Sequence, residues 1–120
     1  MTRVRDSPMI ALFSYGSLRQ RKVQLATYGR ELEGQPDVLA GYALVPVEVG
    51  DPRVVELSGA AVHSIACATG NPGDQVEGVV FPLGQDELAA TDAYEVEVYS
   101  RIEVTLESGR RAWAYVGPPR

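Results

Sequence analysis

The sequence predicts an α+β fold in which short, turn-separated strands outnumber helices. Three observations carry this. Ile102, Val104 and Leu106 alternate with Arg101, Glu103, Thr105 and Glu107, the period of a half-buried antiparallel strand. Twelve glycines and eight prolines among 120 residues supply the turns that a β-rich chain needs. By contrast, Gln85 to about Glu95 carries helix signals, with Asp86 and Glu87 placed where the dipole of a first turn favours acids.

Taken in order, Met1 to Pro8 is polar and ends in proline, so a loose tail is expected, followed by one domain over residues 9–117. Ile10 to Phe13 reads as a buried strand, interrupted by Tyr15-Gly16-Ser17 with a glycine able to take positive φ. Ser17 and Gln20 have the capping-box spacing, which predicts a helix at once, over Gln20 to Tyr28. After Gly29 and Gly34, Pro36 forces an extended segment, and Val38 to Val49 is β-rich with Pro46 marking an edge or a bulge. Asp51-Pro52 reads as a turn, Val54 to Leu57 and Val62 to Ala68 as short strands, and Thr69 to Asp74 as a turn cluster. Val76 to Leu83 is a further strand. Ser108-Gly109 closes a hairpin whose return strand is Arg110 to Val116, and Gly117-Pro118-Pro119 ends the domain.

Composition narrows the function. The net charge is −5 and the eleven basic residues are not gathered on one face, which argues against nucleic acid as a partner. No apolar run approaches the roughly 20 residues that span a bilayer, and the polar start is not followed by an h-region, so the chain is read as cytosolic with no membrane partner. A lone Cys67 and a lone His63 offer neither an internal disulfide nor a metal cluster, and no cofactor is expected. Cys67 reads as a packing residue, His63 as a strand residue rather than a catalyst, and Trp113 as facing the exterior or a partner chain.

Two stretches carry chemistry. Beyond Gly16, unsatisfied backbone N–H groups would point into a space that no Cβ blocks, which suits a small carboxylate or phosphate. In the second half, Glu95 lies seven residues beyond Leu88 and so on nearly the same helical face, an acid turned toward the core at a helix end whose dipole disfavours it. A carboxylate kept there is either paired, with Arg101 and the tyrosines as candidates, or raised in pKa and used as a general base. Singly, the first is an ordinary strand-to-helix turn and the second an ordinary solvated glutamate. At one mouth they describe a site for a zwitterionic amino-acid group.

The combination of Phe13-Ser14-Tyr15-Gly16-Ser17-Leu18, Val76 to Phe81, Glu87-Leu88, Thr91-Asp92-Ala93-Tyr94-Glu95, Tyr99-Ser100-Arg101 and a closing strand with Tyr115 resembles the γ-glutamylcyclotransferase-like (AIG2-like, YtfP-type) family, over roughly Ile10 to Val116. The resemblance implies a small mixed β-barrel flanked by short helices, and release of 5-oxoproline from a γ-glutamyl compound without metal or cofactor. It implies Glu95 as the general acid/base, Tyr15, Gly16, Ser17 and Leu18 as the loop that holds the substrate α-carboxylate, and Tyr115 as a pocket-lining tyrosine. Two positions depart from the family pattern: Arg19-Gln20-Arg21-Lys22 replaces a segment in which many relatives carry a glycine, and Thr91 stands where an apolar residue is usual. The leaving half is an amino acid, an amine or a lysine side chain. Two rival readings follow from the same residues: a non-catalytic module binding a small amino-acid-like metabolite, and an interaction domain working through Trp113 and its edge strands. Oligomeric state is not fixed by the sequence.

Overall fold

The computed structural model describes residues 9–48, 50–95 and 99–119. The expected tail Met1 to Pro8 and the bridge 96–98 lie outside the described residues. Seven strands form one mixed sheet that curls into a half-barrel carrying three helices. Strands β1 (Ile10–Ser14), β2 (Gln35–Ala40), β3 (Tyr42–Glu48), β4 (Val62–Ala68), β5 (Gln75–Leu83), β6 (Ser100–Thr105) and β7 (Arg111–Val116) are joined by α1 (Arg21–Tyr28), α2 (Pro52–Ser58) and α3 (Gln85–Tyr94). The order across the sheet is β2-β5-β1-β7-β4-β3, with β6 also on β7. No described helix is long and apolar enough to cross a membrane.

Period-two alternation separates two cores. Phe13 and Tyr15 of the first strand segment, with Ala112, Ala114 and Val116 of β7, fill the inside of the half-barrel together with Leu39, Val76, Val80, Val104 and Leu106. Leu12 and Tyr115 point the other way, under the helices, and meet Leu18, Val23 and Leu83. Gly78 allows the close approach of β5 to β1: a Cβ there would lie 2.5 Å from the Ser14 carbonyl oxygen. Of the three prolines that sit in strands, Pro36 in β2 and Pro46 in β3 occupy the two ends of the strand order, where no central ladder hydrogen bond is lost, and Pro82 lies near the end of β5, opposite Ala11 and beyond the residues paired with β2.

Two expectations are corrected. Val54 to Leu57 is not a strand but the body of α2: Asp51 accepts from the Arg53 N–H at 2.9 Å, Pro52 sits in the first turn, and Gly59 closes the helix at φ 78°. The cap and the proline outweigh the β-branched valines. Ser17 and Gln20 form no capping box; Ser17–Arg19 is a single 3-10 turn, and α1 starts at Arg21 with no side-chain cap. The β-rich segment that begins at Val38 turns at Gly41, φ 85°, from the end of β2 into β3, and its last residue, Val49, lies outside the described residues.

β7 is the junction of the sheet. β6 pairs along its full length on one edge, so β1 and β4 share the other, each in parallel and each centred on one pair, Leu12 with Trp113 and Ala66 with Val116. Between them stands the Tyr15 phenol. It donates to the Tyr115 carbonyl at 2.5 Å and accepts from the Ala66 N–H at 2.9 Å, joining the two strands where their own pairing is sparse. Tyr15→Phe keeps the ring and deletes both bonds, leaving buried backbone groups unsatisfied; chemical denaturation is expected to show a loss of about 1–3 kcal/mol with the native fold retained.

Candidate active site

Where β1 and β4 separate, a cavity of about 240 Å³ opens. Its floor is Phe13 to Gln20 and Tyr115; its walls are Ala60 and Val62 to Ser64 on one side and Glu95 and Tyr99 on the other. The six residues that the resemblance assigns to the site, Tyr15, Gly16, Ser17, Leu18, Glu95 and Tyr115, therefore line one cavity, although they come from the ends of β1, α3 and β7. Their contributions differ.

Tyr15 lends its backbone, since its phenol is committed to the sheet. Burial raises the pKa of that phenol far above its ordinary value. Leu18 is buried beneath the helices, so only its main chain faces the cavity. Gly16 has φ −125°, so it does not use the positive φ open to a glycine; a Cβ built on it meets nothing within 4 Å and would stand in the space at the cavity floor. Among the described residues the N–H groups of Gly16, Ser17 and Leu18 have no acceptor, whereas those of Arg19 and Gln20 bond to the carbonyls of Gly16 and Ser17. Donors in a half-enclosed cavity are costly to leave without acceptors, and an anion suits them. The turn is held from below by Gln24, which donates to the Leu18 carbonyl at 2.9 Å and accepts from Leu32 N–H at 2.8 Å. It is held from the side by Tyr94, whose hydroxyl lies 2.5 Å from Ser17 Oγ.

Glu95 is the residue at which α3 ends; its N–H still bonds to the Thr91 carbonyl, but its backbone is extended. Burial pushes its carboxyl up to about 8 from the usual 4.5, and the charge of Asp92 adds to the shift. Neither expected partner neutralises it. Arg101 instead donates to Asp92 Oδ1 at 2.9 Å and lies over the Trp113 ring, 4.6 Å from its centroid. Tyr115 donates its hydroxyl to the same oxygen at 2.5 Å. Trp113 faces the outside of the half-barrel, one of its two expected placements, and is half-buried there against the core beneath the helices.

Three contributors escaped the sequence reading. Thr91, the departure from an apolar position, is fully buried; it donates to the Glu87 carbonyl and so accepts from Tyr28 at 2.6 Å, locking α1 to α3. Desolvation raises that Tyr28 phenol to about 12. Ser58 of α2 donates to the Val54 carbonyl at 2.7 Å, which leaves its oxygen to accept from His63 Nε2 at 3.0 Å and fixes that ring on the cavity wall. The Asp51-Pro52 pair was the available signal for α2, and with it for Ser58. Tyr94 stood inside the recognised motif, but its bond to Ser17 spans 77 residues and has no local signature.

The sequence profile described as "Gamma-glutamyl cyclotransferase, AIG2-like" matches residues 12–120. The chain belongs to this γ-glutamyl cyclotransferase, AIG2-like family. Solved structures agree at the level of fold. One described as a gamma-glutamyl cyclotransferase has 18% identity and a TM-score of 0.69, over 92% of this chain and 68% of that one. An uncharacterized human protein has 20% identity and a TM-score of 0.70 over the same shares. A protein from Arabidopsis thaliana, solved in solution, has 22% identity and a TM-score of 0.67; 93% of this chain is covered, which spans 64% of that one. Comparison with curated protein sequences gives no match.

A carboxyl raised from 4.5 to about 8 carries a cost in stability. Between those values the folded protein holds a proton that the unfolded chain has released, so stability falls as pH rises through this window and the penalty is complete above it. Glu95→Gln removes the penalty. Its Tm is expected to match the parent near pH 4.5 and to exceed it by roughly 3 °C or more above pH 8, read by calorimetry across pH.

Proposed function

We propose that this member of the γ-glutamyl cyclotransferase, AIG2-like family releases 5-oxoproline from a γ-glutamyl amino acid or amine. The observation that carries the proposal is the meeting, in one cavity, of three backbone N–H groups that have no acceptor among the described residues with a carboxyl pushed up to about 8. In this reading the N–H groups of Gly16, Ser17 and Leu18 receive the α-carboxylate, and Tyr15 and Tyr115 shape the pocket. The glutamyl chain folds back so that its α-amine faces its own γ-carbonyl.

Glu95 takes a proton from the α-ammonium, whose pKa of about 8 matches its own. The freed nitrogen attacks the γ-carbonyl carbon, closing a five-membered ring and forming a tetrahedral intermediate. As the amide C–N bond breaks, the protonated Glu95 gives its proton to the departing nitrogen. Two protons pass in all from the attacking to the leaving nitrogen, and one carboxyl placed between them can carry each in turn. Because nucleophile and electrophile belong to one molecule, the protein mainly has to select a conformer and move protons. The substrate is a small molecule, and the chain is read as acting in the cytoplasm.

The test is 5-oxoproline release from a panel of γ-glutamyl amino acids and amines. The parent is expected to be active, with Glu95→Gln reduced by roughly a hundredfold or more. Equal activity in both would remove Glu95 from the mechanism. The pH profile is a second test. As a base that must be ionised in the free enzyme, Glu95 predicts kcat/KM rising with pH to a midpoint near 8. Asp92→Asn deletes the neighbouring charge and frees Tyr115 and Arg101, so the midpoint is expected to move to lower pH by about half a unit or more.

A further inference from the structure

Arg19 is the fixed cation among the residues that line the cavity. Five other arginines, Arg21, Arg30, Arg53, Arg101 and Arg111, pair with carboxylates. Arg19 instead bends back over its own turn and donates Nε to the Gly16 carbonyl at 3.1 Å, which leaves the outer edge of the guanidinium without a partner among the described residues. The Gly16 carbonyl also accepts from Arg19 N–H, so it points along the turn away from the free N–H groups. Nε therefore sits beside the peptide that carries the Ser17 N–H. The cavity therefore has two anion-attracting groups side by side, these N–H groups and the outer edge of the Arg19 guanidinium.

A γ-glutamyl amine offers one carboxylate. A γ-glutamyl amino acid offers two, separated by the glutamyl chain and the scissile amide. We infer that the leaving half of the substrate carries a carboxylate, and that Arg19 is the residue that selects for it. The inference rests on the cyclotransferase reading of the cavity, because that reading assigns the first carboxylate to the N–H groups. The net charge of −5 sharpens the need: an anionic leaving group is repelled by the protein as a whole unless a local cation receives it. A guanidinium also suits a planar carboxylate, since its two outer nitrogens donate in parallel.

The test compares γ-glutamylglycine with γ-glutamylglycinamide, which differ only in the leaving half's carboxylate. Affinities are measured calorimetrically in the Glu95→Gln background, where no turnover is needed, and kcat/KM is measured in the parent. The carboxylated ligand is expected to be preferred by about tenfold in both measurements. Arg19→Gln should bring the ratio close to one, with the loss falling on γ-glutamylglycine, and Arg19→Lys should restore part of it. A parent ratio near one, an equal loss for both ligands in Arg19→Gln, or no binding of either would overturn the inference. Selective binding without 5-oxoproline release in the parent would uphold the role of Arg19 and overturn the cyclotransferase reading.

Discussion

The Tyr15 phenol is the interaction on which the architecture turns. A sheet in which one edge of β7 is shared by two parallel neighbours must open between them, and the backbone groups at the opening need partners that neither strand supplies. A tyrosine hydroxyl can donate and accept at once. Tyr15 uses both capacities, on Tyr115 and Ala66, and so closes the sheet at one point while leaving space beside it. The cavity is the consequence of that fork. Its floor is the chain that runs on from Tyr15 and its far wall is the start of β4.

The helices complete what the fork begins. α1 supplies Gln24 to hold the 3-10 turn, α2 supplies Ser58 to hold His63, and α3 delivers Tyr94 and Glu95 in succession, the first toward Ser17 and the second into the cavity. The end of α3 is fixed to α1 through Thr91 and Tyr28, while its start is tied by Glu87, which pairs with Arg30 and accepts from the Gly84 N–H. Placement of a carboxyl group in a half-enclosed, unfavourable position thus rests on conventional polar contacts at both ends of a ten-residue helix.

Much of this was legible because it is local. The alternation of β6, the turn at Ser108-Gly109, the acids at the start of α3 and the edge prolines each act within a few residues of where they are read. α2 was misread because two β-branched valines were weighed above the Asp-Pro pair before them, although a cap and an N-terminal proline set the backbone more firmly than side-chain propensity does. The inward direction of Glu95 was legible from its spacing to Leu88. Its neighbours were not, because Ser17 with Tyr94 and Tyr115 with Asp92 are contacts between distant segments, created only when the sheet curls.

Arg101 shows how the site reconciles a high pKa with a nearby cation. Bonded to Glu95, a guanidinium would favour the charged carboxylate and weaken it as a base. The structure directs Arg101 to Asp92, one turn earlier on α3, and holds it there over the face of Trp113 with its Nε on Asp92 Oδ1. Asp92 is also the acceptor for Tyr115, so its charge is fixed in place by two donors converging on one oxygen. That fixed charge in turn adds to the rise in the Glu95 pKa. The cation therefore acts on Glu95 through an intervening anion and not directly. In the sequence, Arg101 reads as a candidate partner of Glu95 itself; in the fold it pairs with Asp92, and the Asp92 charge helps set the proton affinity of the carboxyl next to it.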